Sequence, residues 1–378
     1  MYNYGKQNIN KEDIKSVIKV LKSDIITQGQ EVKKFEKNLS TYFGSKYSTA
    51  VSNGTAALHL IGLSLGWKRG DIILCSPITF MSSVNSVLYC NATPDFVDID
   101  IDTHNLCSEK LEEKILFYKK KRKKIKAVIV TDFAGYPADW QQFSKLKKKY
   151  NFQLVNDNCH AMGASYNGSK HYASRYADAV SLSFHAVKNI TTGEGGAILT
   201  NNKKIFDISQ RLRSHGVVKK RYWHQQMIDL GYNYRLTDFQ SSLGSSQIKR
   251  LNKFVKKKNY IAKYYNKEFK NLKCAKTPII KNNINHSYHL YTLLIDFKKL
   301  KIKKEKFINH LLKKGIKIQV HYYPVYLQPY YKKNFKFKKG YCNNAEKYYE
   351  DSISLPIYYN LQLRDLKKIC VILKKNIK

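Results

Sequence analysis

The chain has 378 residues, 43% of them hydrophobic, and a formal net charge of +40. A chain of this length can bury a sizeable core in two or three domains. No stretch approaches the roughly 20 apolar residues of a membrane helix, and the polar residues 1–8 lack the apolar segment of a signal peptide. We therefore expect a cytoplasmic protein without a membrane partner.

The positive charge suggests an anionic partner, and nucleic acid is the first candidate. The lysines are spread over the whole chain, however, and the densest run, residues 119–124, is typical of a solvated helix end. No nucleic-acid-binding motif is present, so no nucleic-acid partner is expected. The seven cysteines are scattered and form no C-x-x-C pair, which argues against a disulfide framework and against a metal site.

Short apolar segments alternate with helical patterns in the first two-thirds of the chain. The predicted strands are residues 48–51, 72–75, 96–99, 127–131, 153–156, 179–184 and 197–200. The helical segments between them are residues 55–65, 81–89, 138–150 and 203–213. This alternation predicts an α/β fold with a mostly parallel sheet and helices on both faces. Ligands of such sheets bind at the carboxyl ends of the strands, beside helix N-termini.

From about residue 251 the pattern changes. A long basic helix (252–269) is followed by a strand (291–296), a second helix (303–314) and another strand (316–320). This order predicts a smaller C-terminal α+β domain. We therefore expect a large domain at residues 1–250 and a small one at residues 251–378.

Two segments follow predicted strands in a way that suits a phosphorylated, cationic ligand. The first, Ser52-Asn53-Gly54-Thr55-Ala56, opens a helix whose unpaired N–H groups suit a phosphate. Taken alone, an ordinary N-cap explains it better. In the second, Asp157 ends a buried strand, where a carboxylate needs a cationic partner such as a protonated pyridine nitrogen. A helix N-cap ahead of residues 161–164 explains Asp157 equally well.

Lys188 lies between a strand and a Gly-rich turn, with apolar neighbours and the Ser183 hydroxyl close in sequence. A lysine that bonds covalently to an aldehyde must lose its proton, and apolar surroundings lower its pKa. In so lysine-rich a chain, an exposed loop lysine is the alternative. Phe80 ends another strand, where it could stack on a planar cofactor or belong to the core. In the loop 231–238, Asn233 is free to donate to a phosphate, and Thr237 or Asp238 would cap the next helix.

The order and spacing of these motifs resemble the DegT-type sugar aminotransferases, which use pyridoxal 5′-phosphate (PLP). The resemblance runs from Tyr4-Gly5-Lys6-Gln7 to Ser354-Leu355-Pro356 and implies the type I PLP aminotransferase fold. It also implies a homodimer with shared active sites. Many relatives have Pro in place of Ala186 and a small residue in place of Asn158, but neither difference removes a group that the chemistry needs.

The resemblance also implies roles for the site residues. Lys188 would carry PLP and act as the catalytic acid and base, and its presence favours transamination because relatives with His there are dehydratases. Asp157 would pair with the pyridine nitrogen, His160 would lie beside the ring and its 3-hydroxyl, and Phe80 would cover the ring face. The phosphate would be held by Thr55, the Ala56 backbone, Ser183 and Asn233 of the partner subunit.

Segments 24–29, 185–188, 191–196, 213–216 and 320–324 resemble the branch of the family that serves pseudaminic acid biosynthesis. This implies transfer of an amino group from L-glutamate to C4 of a UDP-linked 4-keto-6-deoxy N-acetylhexosamine. The residues implied in the sugar-nucleotide channel are Tyr4, Ile26, Thr27, Gln28, Gly29, His321, Tyr322, Tyr323 and Pro324. Two alternatives stay open: another nucleotide-linked keto sugar (D-series 4-keto or 3-keto), and a basic, non-catalytic nucleic-acid-binding protein on an old enzyme scaffold.

Overall fold

The structure is a computed structural model that describes residues 1–377. Its strands are β1 (Tyr2–Asn3), β2 (Tyr47–Val51), β3 (Ile72–Cys75), β4 (Thr93–Phe96), β5 (Ile125–Thr131), β6 (Gln153–Asp157), β7 (Ser165–Tyr166), β8 (Ala179–Ser183), β9 (Gly196–Thr200), β10 (Val217–Arg221), β11 (His224–Met227), β12 (Ala275–Lys276), β13 (Ile284–Asn285), β14 (Tyr291–Ile295), β15 (Ile316–Lys317) and β16 (Ser352–Leu355).

Its α-helices are α1 (Lys11–Leu21), α2 (Gln30–Phe43), α3 (Gly54–Ser64), α4 (Ser82–Tyr89), α5 (Ser108–Lys120), α6 (Trp140–Tyr150), α7 (Tyr172–Tyr176), α8 (Lys203–Arg213), α9 (Asp238–Ile248), α10 (Leu251–Phe269), α11 (Lys304–Lys313), α12 (Pro329–Phe335), α13 (Asn343–Asp351) and α14 (Leu363–Asn376). None of the helices in residues 1–377 is long and apolar enough to cross a membrane.

The central sheet has seven strands in the order β2-β9-β8-β6-β5-β3-β4. Strand β9 runs antiparallel to its neighbours β2 and β8, and the other neighbouring pairs are parallel. The predicted α/β fold with a mostly parallel sheet is thus confirmed. The strand predicted at residues 96–99 was wrong, because the edge strand β4 lies at Thr93–Phe96 instead. An edge position tolerates Pro94, and Val97 and Ile99 are apolar because they are buried in the core.

Side chains alternate between the two faces of this sheet, as strand geometry requires. Along β5, Val128 and Val130 enter one hydrophobic core, and Ala127 and Ile129 enter another. Each core also receives side chains from helices, so helices cover both faces of the sheet. Fully buried strands of this kind explain why the segments read as continuous apolar runs.

A third core forms in the C-terminal part of the chain, where α10, α11 and α14 pack against the antiparallel sheet β12-β14-β16. The strand predicted at 316–320 is shorter than expected, since β15 ends at Lys317 and pairs with β1 at the start of the chain. Val325, Tyr326 and Tyr348 pack into the second core of the central sheet. The division of the chain at residue 250 stays a prediction.

Candidate active site

One edge of the central sheet borders a cavity of about 730 Å³. The cavity is reached by the turns that follow β2, β3, β6 and β8 at their carboxyl ends. Strand β9 returns antiparallel to β8, so the segment between them, which carries Lys188, stays at this edge. The carboxyl edge of a parallel sheet is where such folds bind ligands.

Most of the predicted site residues line this cavity. Those that do so are Tyr4, Thr55, Ala56, Phe80, Asp157, His160, Ser183, Lys188, His321 and Tyr322. Outside the lining in the described chain lie Asn233, Ile26, Thr27, Gln28, Gly29, Tyr323 and Pro324. We call Asp157, His160, Ser183 and Lys188 the cavity floor, and Tyr4, Phe80, His321 and Tyr322 the cavity rim.

The Asp157 carboxylate is buried and accepts hydrogen bonds from neutral donors. Ser83 Oγ donates to its Oδ2 at 2.5 Å, while Ser181 Oγ and the Cys159 backbone N–H donate to its Oδ1 at 3.3 and 3.2 Å. No α-helix begins in the turns at residues 158–164, so the N-cap interpretation of Asp157 was wrong. Asp157 is buried and forms no ion pair within residues 1–377, and a buried carboxylate of this kind favours a cationic ligand.

The Lys188 side chain is half-buried and faces the cavity. Within residues 1–377, its Nζ has no hydrogen-bond or ion-pair partner. Burial lowers the pKa of Lys188, although the nearby Cys159 and Asp157 act in the opposite direction. A lysine with a lowered pKa has more of the neutral amine that can attack an aldehyde.

His160 presents one satisfied and one unsatisfied ring nitrogen. Its Nε2 lies 3.2 Å from the Tyr322 hydroxyl, and its Nδ1 is buried without a partner among the described residues. Burial, followed by the charges of Lys188 and His321, lowers the pKa of His160 well below its usual value. A neutral imidazole with a free nitrogen suits a ligand hydroxyl group.

The N-terminus of α3 also lines the cavity. Asn53 Oδ1 caps this helix by accepting from the Ala56 N–H at 2.8 Å, so the N-cap interpretation is confirmed. The Ala56 N–H, which the resemblance assigns to the phosphate, already has this acceptor, and phosphate binding by the segment stays a prediction. The amides of Gly54 and Thr55 have no protein acceptor in the part of the chain that the structure describes. A Cβ at Gly54 would lie 2.9 Å from the Ser183 Cβ; glycine therefore permits this close approach, and the free amides suit a phosphate.

Two rings of the cavity rim are held by contacts from distant parts of the chain. The Tyr4 and His321 ring centroids are 4.9 Å apart, and His321 Nδ1 lies 2.8 Å from Ser354 Oγ. Phe80 is 49% exposed, so it does not belong to the core. Its ring lies 6.1 Å from the Tyr322 ring.

The loop at residues 26–29 is anchored by Asp238. This carboxylate accepts from the Gly29 and Glu31 amides at 2.7 and 2.9 Å and thereby caps α2. The cap of α9 is Thr237, which forms a capping box with Gln240. From the sequence, Thr237 and Asp238 were alternative caps for the same helix. In the structure Thr237 caps α9, whereas Asp238 caps α2.

Sequence reasoning missed Ser83, Ser181 and His289, which all contribute to the site. Ser181 could have been found, because Ser181 and Ser183 are two residues apart in a buried strand and therefore share a face. Ser83 and His289 carry no local signal. The His289 ring lies 4.4 Å from the His160 ring, and its Nδ1 is buried without a partner in the described chain.

A lysine with a lowered pKa, a buried carboxylate, a free imidazole nitrogen and a helix N-terminus thus surround one cavity at the carboxyl edge of the sheet. These groups match, respectively, the aldehyde, the pyridine nitrogen, the hydroxyl and the phosphate of PLP. The fold and the site together define a PLP-dependent transaminase.

Residues 7–374 match the model of the DegT/DnrJ/EryC1/StrS aminotransferase family, and the chain belongs to this family. It is 40% identical to the UDP-4-amino-4,6-dideoxy-N-acetyl-β-L-altrosamine transaminase of Campylobacter jejuni over 97% of this chain and 95% of that protein.

Two solved structures are also similar. PseC of Helicobacter pylori, an aminotransferase involved in the biosynthesis of pseudoaminic acid, superposes with a TM-score of 0.92 at 32% identity, over 100% of this chain and 99% of PseC. The PLP form of the putative sugar aminotransferase Spr1654 from Streptococcus pneumoniae gives a TM-score of 0.90 at 27% identity, over 98% and 97% of the two chains. The chain is therefore a sugar aminotransferase, as its sequence predicted.

Proposed function

We propose that this aminotransferase moves the amino group of L-glutamate to C4 of a UDP-linked 4-keto-6-deoxy N-acetylhexosamine. The observation that carries the proposal is that the floor residues and the aromatic and imidazole rings of the rim line one and the same cavity. The names of the similar Campylobacter and Helicobacter enzymes make this sugar the first candidate.

Three of the four floor residues, Lys188, Asp157 and Ser183, have the following tasks in this reaction. PLP, when bound, serves as an electron sink for the carbon that loses or gains a proton. The Lys188 amine would hold PLP and then move that proton as base and acid. Asp157 would keep the pyridine nitrogen protonated, because an opposite charge in contact raises the pKa of that nitrogen. Ser183, Thr55 and the free amides of α3 would hold the phosphate.

A homodimer would complete the site. Asn233 is exposed and lies outside the cavity of its own chain. Close to it, the β10–β11 hairpin and the segment after it expose Tyr222 (85%), Trp223 (62%) and Leu230 (79%). Apolar side chains clustered on one exposed arm favour a protein partner. In our proposal this arm packs on a second copy, and Asn233 of the partner subunit reaches the phosphate.

The cavity rim and nearby loops would bind the sugar nucleotide. Tyr4, His321 and Tyr322 already line the cavity. The loop at residues 26–29, Tyr323 and Pro324 would extend this channel towards the nucleotide in the dimer. Ile26 is 45% exposed, which leaves its apolar side chain available for such a contact. The surplus of basic residues suits a diphosphate.

The test is a panel of nucleotide-linked keto sugars incubated with the PLP-loaded enzyme and L-glutamate, with products identified by mass spectrometry. We expect replacement of the keto oxygen by an amino group in the UDP-linked 4-keto-6-deoxy N-acetylhexosamine. An amine formed only from a D-series 4-keto or a 3-keto sugar would replace the proposed substrate with that one. Pyruvate formation from L-alanine but no 2-oxoglutarate from L-glutamate would overturn the proposed donor.

A further inference from the structure

Lys258 is the one lysine or arginine in residues 1–377 whose side chain is buried, at 5% exposure. It lies in the middle of α10, between Val255, which packs into the first core, and Ile261, which packs into the third. Burial of an ammonium group costs several kcal/mol unless a partner compensates. In a chain with 68 lysines and arginines, this exception indicates a specific role.

The partner of Lys258 is the residue that follows Lys188 in the chain. Lys258 Nζ donates to Asn189 Oδ1 at 2.7 Å. Asn189 Nδ2 in turn donates to the carbonyl oxygens of Met162 at 2.8 Å and Ser287 at 3.4 Å. Asn189 therefore connects the segment that carries Lys188 to two other segments through its Nδ2. The other polar atom of the Asn189 side chain, Oδ1, accepts the hydrogen bond from Lys258.

The titratable groups that interact electrostatically with Lys258 are all bases. Burial and then the charge of Lys188 lower the pKa of Lys258 to about 7. The charge of Lys258 also helps to lower the pKa of His286 and of His289. No carboxylate in residues 1–377 forms an ion pair with Lys258. A second cation beside a catalytic lysine is one means of activating it.

We propose that Lys258 is a positioning residue for Lys188: it fixes the Lys188 segment through Asn189 and places a second amine behind the cavity floor. The inference rests on the role proposed above for Lys188. It assigns Lys258 no contact with the substrate or with PLP.

The test compares three variants in the PLP-loaded form. Lys258→Met removes the amine, and Lys258→Gln keeps a hydrogen-bond donor but no charge. Lys253→Met is the matched control, because Lys253 is exposed on the same helix. For each variant, borohydride reduction and peptide mass spectrometry locate the lysine that holds PLP, a pH titration gives the midpoint of the visible absorption change, and steady-state assays give kcat and KM.

We expect the midpoint of Lys258→Met to rise by about one pH unit, because a like charge has been removed. Its kcat should fall about tenfold through misplacement of Lys188, with KM for L-glutamate nearly unchanged. Lys258→Gln should show the same rise in midpoint but a smaller loss of kcat, and Lys253→Met should match the parent enzyme.

The proposal is overturned if Lys258→Met has the midpoint and kcat of Lys253→Met. If Lys258→Met does not fold, Lys258→Gln decides, and an unchanged midpoint in that variant overturns the proposal. Trapping of PLP on an amine other than Lys188 in the parent enzyme would overturn the proposed function instead, so the two failures can be told apart.

Discussion

The floor and the rim of the cavity are built in different ways. Floor residues lie at the ends of β6 and β8 or in the turns directly after them, and these two strands are each paired on both sides within the central sheet. Rim residues come from separate parts of the chain. Tyr4 is fixed by the two-residue pairing of β1 with β15 and by an Ile357 N–H that donates to its carbonyl at 3.0 Å.

This difference suggests that the floor and the rim contribute to different steps, the floor to the chemistry and the rim to substrate binding. All four floor residues come from one chain, and the floor includes Lys188, to which our proposal assigns proton transfer. The rim is assembled from long-range contacts, and the loops around it lie outside the cavity of one chain. We therefore expect substitutions in the floor to lower kcat and substitutions in the rim to raise KM for the sugar nucleotide.

The largest effect is expected for Lys188→Ala, which should lower kcat to less than about a thousandth. Lys188→Arg should fail equally, since a guanidinium does not deprotonate. Lys188 Nζ has no protein partner among residues 1–377, so the free energy of unfolding should change by less than about 1 kcal/mol. Turnover assays and thermal unfolding check both parts, and near-normal turnover in either variant would contradict the assigned role.

The next effect tests the other side of the floor. Asp157→Asn keeps an acceptor for Ser83 but loses the charge that would hold the pyridine nitrogen protonated, so kcat should fall about a hundredfold. KM for the sugar nucleotide should stay within about twofold. Ser83→Ala, which removes the 2.5 Å donor and keeps the carboxylate, serves as the milder control. If kcat of Asp157→Asn stayed within twofold of the parent value, the expectation that floor substitutions lower kcat would be wrong.

Two floor residues could be singled out from the sequence because their signals are local, although each kept an alternative interpretation until the resemblance to the family was considered. Asp157 and Lys188 each follow a buried apolar strand, and the carboxyl ends of parallel strands meet at one edge. The two interpretations of Asp157 could not be separated in the same way. Whether a helix follows depends on the packing of residues 158–164, which local pattern does not encode.

The rest of the molecule depends on contacts that no local pattern contains. Asp238 caps α2 across more than 200 positions of sequence, and Lys258 meets Asn189 from a separate helix. The edge strand β4 was misplaced because Thr93 and Pro94 do not show the apolar pattern of a central strand. Helices α1 and α2 were not predicted, although Asn10 and Asp13 form a capping box at the start of α1.

A third substitution tests whether a second chain completes the phosphate site. Asn233→Ala should weaken PLP binding about tenfold, which is the usual effect of losing a hydrogen bond to a charged group. Co-expression of Lys188→Ala and Asn233→Ala subunits with different tags should yield mixed dimers with one intact site of two. PLP affinity equal to that of the parent enzyme at one of the two sites of the purified mixed dimer supports the shared site, and a mixed dimer that binds PLP only as weakly as the Asn233→Ala dimer argues against it.

In the rim, His321→Gln should raise KM for the sugar nucleotide about fivefold, since one neutral hydrogen bond contributes about 1 kcal/mol. Its kcat should stay within about twofold, because His321 takes no part in proton transfer in our proposal. Ser354→Ala, which removes only the partner of His321 Nδ1, is the control for mere repositioning of the ring. If kcat fell by a larger factor than KM rose, His321 would behave like a floor residue, which would contradict this prediction.

The last prediction concerns stability and pH rather than turnover. Burial, and then the charge of Lys188, lowers the pKa of His321 to about 3, whereas an exposed histidine titrates near 6.5. As pH falls below 6.5, the unfolded chain takes up the proton first, so the folded state loses about 1.4 kcal/mol per pH unit until about pH 3. Between pH 7.5 and 5, the parent protein should therefore lose about 2 kcal/mol more than His321→Gln in denaturant titrations. Equal losses would mean that the folded state accommodates a protonated His321, and the rim would then change its charge with pH.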